Sequence, residues 1–414
     1  MCSFVIINPK TIFMKKSIFY FVLILFMPAA AQQVTQWRGA DRSGNYPETN
    51  LLTQWPATGP ELFWEFAELG NGYNSPVITD KYIFINGEVD TINYLYALNL
   101  KGELLWKKEV GREWVASYPG ARAAANVVGN LVYTTTGMGD VACFEAETGN
   151  KKWAHNYVTD FKAPITRFGF SESVVVNGDL VYCQPGNADT NVVALNRFTG
   201  EMVWKTKALG QMTSYCAPLL IELKDRKILV TFSKSALLGI DAANGTLLWS
   251  HTQDSEGDVH VNTPLFENGF IYYITGDGNG SVKLKLSDDG TSITEVWRTK
   301  ACDGTMGGFN KIGNFIYSSG YEKRQYYAIN AENGAIADSL KFDRGVVIAA
   351  ENMLYLYNEK GNLGLVKPEN GKMNLVSSYK VTKGTKAHYS HPVICNGILY
   401  LRRGQSLMAF NIKK

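Results

Sequence analysis

The chain is short of the residues that most often announce chemistry. Its 414 residues include five histidines and six cysteines. No C-x-x-C or Cys/His metal spacing occurs, which removes zinc ribbons, and the absence of C-x-x-C-H removes covalently attached haem. There is no P-loop, no H-E-x-x-H and no G-x-S-x-G, so nucleotide hydrolysis, zinc peptidase and serine hydrolase chemistry have no foothold. Cys143, Cys183, Cys216 and Cys395 sit in apolar strand patterns and read as small buried hydrophobes. With Cys302 they leave an odd number after residue 31, without close pairs, which is not a disulfide framework. An excess of charge of one sign is also lacking: 41 Lys and Arg face 38 Asp and Glu. Without Lys10, Lys15 and Lys16 the formal charge falls from +3 to 0, so there is no electrostatic footprint for nucleic acid.

Long hydrophobic runs are lacking too. Ile18 to Met27 is too short to span a bilayer. Lys15 and Lys16 precede it, and Pro28 to Ala31 follow it, which predicts a secretory signal peptide over residues 1–31 with cleavage after Ala31. Met14 is the expected start. No cysteine stands at the cleavage site, so no lipid anchor is expected. The mature chain is expected in the periplasm or secreted, with no membrane span.

What the chain has in quantity is glycine, 39 residues, and a repeat. Gly239 to Trp249 reads as a strand end, an Asn244-Gly245 turn and a second strand carrying Leu247 and Trp249 on one face. Related copies end at Trp106, Trp153 and Trp204, each four residues after a turn glycine. Trp297 stands seven after its own. A small residue sits six before the glycine at Cys143, Ala194, Gly239 and Ala328. The turn glycines, Gly102 to Gly371, are 47, 51, 45, 45, 44 and 37 residues apart. That period, filled with short strands, predicts an all-β propeller of four-stranded blades.

Seven blades are expected between Ser75 and Lys380. Residues 32–58 are polar and glycine-rich, a strap, and 59–414 are the propeller. Leu62 to Phe66 resembles only the last, Trp64-bearing strand of a repeat, and the chain ends on Pro392 to Ile412 without such a strand. Joined, the two make an eighth blade that pairs both free edges. Seven blades is the alternative if the seventh repeat, which lacks its tryptophan, folds differently.

Small residue, apolar residue, Asp/Asn/Glu, turn glycine, then tryptophan, best seen in Ala194 to Trp204, resembles the repeat of the PQQ-like propellers. The chain is similar to the quinoprotein alcohol dehydrogenase-like superfamily over about residues 37–412, and most of all to small exported PQQ-binding-like proteins and outer-membrane assembly propellers. The segment Trp37 to Gly44 also resembles the start of such proteins. The resemblance implies eight blades, with Trp64, Trp106, Trp153, Trp204, Trp249 and Trp297 docking between them. It is specific for fold and weak for function.

In a propeller the first strand of each blade lines the channel and its lead-in loop forms one mouth. Those loops are polar and aromatic here and hold His260, His388 and His391, three of the five histidines. They supply the candidate ligand site: Asn74, Trp114, Arg122, Arg167, Glu172, Tyr215, His260, Asn262, Asn310, His388 and His391. No metal set is assigned. For a quinoprotein the resemblance implies PQQ and calcium, with Arg122 and Arg167 for carboxylates, Trp114 for stacking, Glu172, Asn262 and Asn310 as oxygen ligands, and Asp258 or Asp303 as base. The vicinal cysteine pair of the larger enzymes is absent. The preferred expectation is a monomeric, non-enzymatic scaffold binding an envelope protein or a small molecule. The alternative is a small PQQ/calcium dehydrogenase of alcohols or sugars.

Overall fold

The protein is described by a computed structural model covering residues 1–3, 33–253, 257–276 and 278–414. The expected signal peptide falls almost wholly outside these residues. Among them the strands form eight consecutive blades, all-β apart from one helical turn, Tyr157–Phe161, between blades two and three. Asn156 caps that turn, its side chain accepting from Val158 N and Thr159 N.

Blade four shows the local logic. Leu219–Glu222, Lys227–Phe232, Ala236–Asp241 and Leu247–Thr252 pair in order, antiparallel. The last hairpin closes because Asp241 Oδ1 accepts from Ala243 N and Gly245, at φ 79°, donates back to Asp241 O. Gly239 lies opposite Trp249, beside a bulge. The other tryptophans also face a small residue across that bulge: Trp106 faces Ala97, Trp153 faces Cys143, Trp204 faces Ala194 and Trp64 faces Ala409. Only a small side chain leaves room for an indole laid flat over its neighbour.

Each indole then crosses to the next blade. Trp64 packs on Gly102, Trp106 on Gly149, Trp153 on Gly200, Trp204 on Gly245 and Trp297 on Gly334. Trp106, Trp153, Trp249 and Trp297 also donate to the carbonyls of Ala146, Arg197, Gly290 and Ala331. Blades six and seven lack the tryptophan, and other rings fill those joints. Phe315 packs on Gly371 and Tyr379 on Gly59. Trp55, from the strap, donates to Leu363 O and lies against Tyr355.

The ring closes through Glu61–Phe66, which pairs antiparallel with Ser406–Asn411 to complete blade eight. Both ends of the propeller therefore meet in one sheet, where Glu61–Phe66 covers the edge that Ser406–Asn411 would otherwise leave open.

The strap is not a surface tie. It runs through the channel and bonds to all eight blades. Val34 pairs with Ile78 of blade one, and Thr35 O accepts from Val127 N of blade two. The Arg42 guanidinium donates to Ser173 O and Val174 O of blade three and to Pro218 O of blade four. Trp37 Nε1 donates to Thr263 Oγ1 of blade five at 3.2 Å. The Arg38 guanidinium donates to Phe309 O of blade six, Val347 O of blade seven and His391 Nδ1 of blade eight. Asn45–Tyr46 adds a short parallel strand to blade seven.

Candidate functional site

Above this plug the lead-in loops enclose an open cup of about 330 Å³. Its floor is Trp37, set edge-on to His391 with centroids 4.6 Å apart. One wall is a tyrosine cluster in which Tyr389 lies 5.7 Å from Tyr73 and 6.2 Å from Tyr118. Phe168 and Tyr215, 5.9 Å apart, form the wall across from blades three and four. Tyr321 carries the Arg344 guanidinium 4.0 Å above its ring.

Arg122 is the charged group built into this wall. It donates to Phe168 O, to Ser117 O at 2.8 Å and to Tyr118 O at 2.9 Å, and so ties the lead-in of blade two to that of blade three. Burial lowers its pKa, with Glu113 acting the other way. Glu113 lies behind, accepting from Asn93 Nδ2 and from the backbone of Trp114 and Gly137, and burial pushes its carboxyl up to about 7. No carboxylate lines the cup among the described residues.

Of the eleven residues expected at the mouth, Arg122, Tyr215 and His391 line the cup. His391 is buried, and burial together with the adjacent Arg38 charge holds its ring well below the usual histidine range. Six others are buried in the surrounding wall. Asn74 bridges Ala123 O and the Arg402 guanidinium. Glu172 accepts from Tyr157 Oη and from Gln184 N and Nε2, between blades two and three. His260 stacks on Phe232 and bonds Lys234 O. Asn262 donates to Ile274 O and Gly304 O. Asn310 donates to Ser43 O and Asn45 Oδ1 of the strap. His388 bonds Tyr357 Oη. Trp114 donates to Ser117 Oγ outside the cup, and Arg167 is exposed, 4.9 Å over Phe168.

The oxygen ligands named for a calcium-held quinone are not brought together at the cup, although Arg122 lines it. Glu172, Asn262 and Asn310 each serve a different neighbour, and Asp303 accepts from Tyr321 N and Glu322 N. Among the described residues no group of three or more His, Cys, Asp or Glu could hold a metal ion.

The sequence alone did not single out Arg38, Arg42, Arg402, Tyr321 or Arg344. Three of these are buried arginines with no carboxylate partner among the described residues, each held by carbonyl oxygens. The only signal for Arg38 and Arg42 was their place in the polar stretch after Trp37.

The profile of the family described as outer membrane protein assembly factor BamB matches residues 46–156 and 91–340. The chain belongs to this family. Outer membrane protein assembly factor BamB of Yersinia pestis is 23% identical over 311 residues, 71% of this chain and 74% of that protein. The quinoprotein alcohol dehydrogenase PedH of Pseudomonas putida is 26% identical over 220 residues, 49% of this chain but 34% of that enzyme, so the match spans about a third of its length. Among solved structures, BamB from Moraxella catarrhalis superposes with a TM-score of 0.60 at 12% identity, over 82% of this chain and 94% of that one. That likeness establishes the fold. Among the described residues no helix is long and apolar enough to cross a membrane.

Proposed function

We propose that this family member is an exported, monomeric binding scaffold of the cell envelope, and that its cup is the binding site for a small ligand. The observation that carries this is the combination of plug and cup. The strap closes the channel beneath Trp37, while the lead-in loops leave a concave, mostly aromatic space open above it. The outer faces of the blades remain free for a protein partner, in keeping with the assembly-factor relatives. The side chains around the cup bind and orient; none pairs a nucleophile with a base.

The test is thermal unfolding of the mature chain against a panel of small metabolites, with Thr305→Trp as the control. Thr305 lines the cup, half-buried, and an indole there fills the mouth. Ligands are expected to raise the Tm of the wild type and leave the variant unmoved. Absorbance titration with PQQ and calcium is expected to show no uptake. A panel that never shifts the wild type, or shifts both proteins equally, would overturn the cup as a binding site, and PQQ uptake would restore the dehydrogenase reading.

A further inference from the structure

We infer that the ligand of the cup is an acidic sugar, a pyranose carrying a carboxylate; this rests on the cup being a ligand site. Two observations independent of each other lead there.

The first concerns charge. Arg122 holds a full positive charge in the wall with no carboxylate in ion-pair range among the described residues, and its three hydrogen bonds among them all go to neutral carbonyls. Two of its five N–H donors remain. Arg344 adds a second guanidinium at the rim, where Arg324, Arg344 and Lys360 outnumber Asp343 and Glu359. The described carboxylates around the cup stand behind its lining: Glu359 pairs with Arg344 Nε at 2.8 Å, Asp303 accepts from Tyr321 N, Glu113 is buried behind the wall, and the charge of Asp258 bears on Tyr215. An anion entering the cup meets donors and no repulsion from its lining.

The second concerns the aromatic rings. Tyr73, Tyr118, Tyr321 and Tyr389 line the cup, with Arg344 over one face of Tyr321, and among the described residues none of their four hydroxyls bonds a protein group. A wall of phenylalanines would suit an aromatic acid. Tyrosines present an apolar face with a polar edge. A pyranose has the matching shape, a C–H face with hydroxyls around its rim. A purely aromatic acid would cover these hydroxyls and leave them unpaired, which opposes binding. The volume suits one or two such rings, at the small end of ligand pockets.

The experiment is calorimetric titration of the mature protein with three probes: methyl galacturonide, methyl galactoside and benzoate. The uronide is expected to bind about tenfold or more tightly than either other probe, the ratio set by one charge-assisted hydrogen bond. Arg122→Gln is expected to bring the uronide down to the galactoside level. Tyr389→Ala, which removes the ring shared by both tyrosine contacts, should weaken both sugars about tenfold. Should Arg122→Gln fail to fold, the wild-type ratios and Tyr389→Ala decide. Benzoate or galactoside binding as tightly as the uronide overturns the acidic-sugar assignment and leaves the cup as a ligand site. No binding by any probe while the metabolite panel still shifts Tm also overturns it, and no binding in either assay overturns both readings.

Discussion

Replacing Arg38 with methionine is expected to destabilise the propeller by about 5 kcal/mol. The side chain is buried in the channel and donates to Ser43 O, Phe309 O, Val347 O, Asn310 Oδ1 and His391 Nδ1. Methionine has similar reach and no donor, so those acceptors lose their partner. Ser43 O keeps Asn310 Nδ2. Each of the four others left dry costs about 1–3 kcal/mol. Against this stands the relief of burying a guanidinium. Its pKa is lowered to about 10 from 12.5, with burial the largest cause, and at 1.36 kcal/mol per pH unit that is about 3 kcal/mol. The four acceptors together cost about 4–12 kcal/mol, so the difference runs from about 1 to about 9 kcal/mol and centres at about 5, in the direction of loss.

The assay is urea unfolding followed by tryptophan fluorescence, comparing midpoints at an unchanged slope. Arg38→Lys keeps the charge but replaces a planar fork by a single ammonium, so it should recover only part of the loss. A fall below about 1 kcal/mol for Arg38→Met would refute the plug as a structural member of the ring and reduce the strap to a tie.

Three further outcomes are expected. Trp249→Ala should cost about 3–5 kcal/mol in denaturant melts, since the indole is buried and bonded to Gly290 O across a blade joint; a loss below about 1 kcal/mol contradicts that docking. Gly245→Ala should cost about 2–4 kcal/mol, because φ is 79° and the added carbon would lie 2.6 Å from Trp204 Cε3; a neutral result means the joint has slack. Burial, with Arg403 and Lys380 adding to it, lowers the His388 pKa to about 4, and His391 moves the same way. The unfolded chain takes up protons there near pH 6.5 and the folded one does not, so stability present above pH 6.5 should fall toward pH 4. His388→Gln should flatten part of that slope in urea midpoints measured against pH, and an unchanged slope refutes the assignment.

The ring was legible in the sequence because its rules are local. A turn glycine must adopt positive φ, a small residue must lie under an indole, and both leave a mark at a fixed spacing. Even the closing strand could be read, since Leu62 to Phe66 carried a Trp without its three partners. The strap's path was not legible. Trp37 to Gly44 has no period, and arginines in a polar glycine-rich stretch read as solvent-facing. Their burial depends on carbonyls offered by blades 131 to 309 residues away, which no local pattern encodes. The same holds for the candidate site. Polar residues at the lead-ins were found by position, but whether each faced the cup or braced a neighbouring blade was decided by partners such as Gln184 for Glu172 and the strap for Asn310.

This division bears on where function can change. The joint of an indole on a glycine is repeated five times, so a change there is felt as stability. The plug spends its cations on backbone carbonyls, which any sequence supplies, so it fixes the floor of the cup without fixing its walls. The walls come from loops between blades, and only Arg122 among their charged groups is tied to backbone carbonyls on both sides of a blade joint. Exchanging Tyr118 or Tyr389 should therefore alter what the cup holds at little cost to the ring, whereas exchanging Arg122 should alter both. Paired measurements of Tm and ligand affinity across those three positions separate the two: tyrosine variants that lose stability in step with affinity would show that the cup, too, belongs to the scaffold.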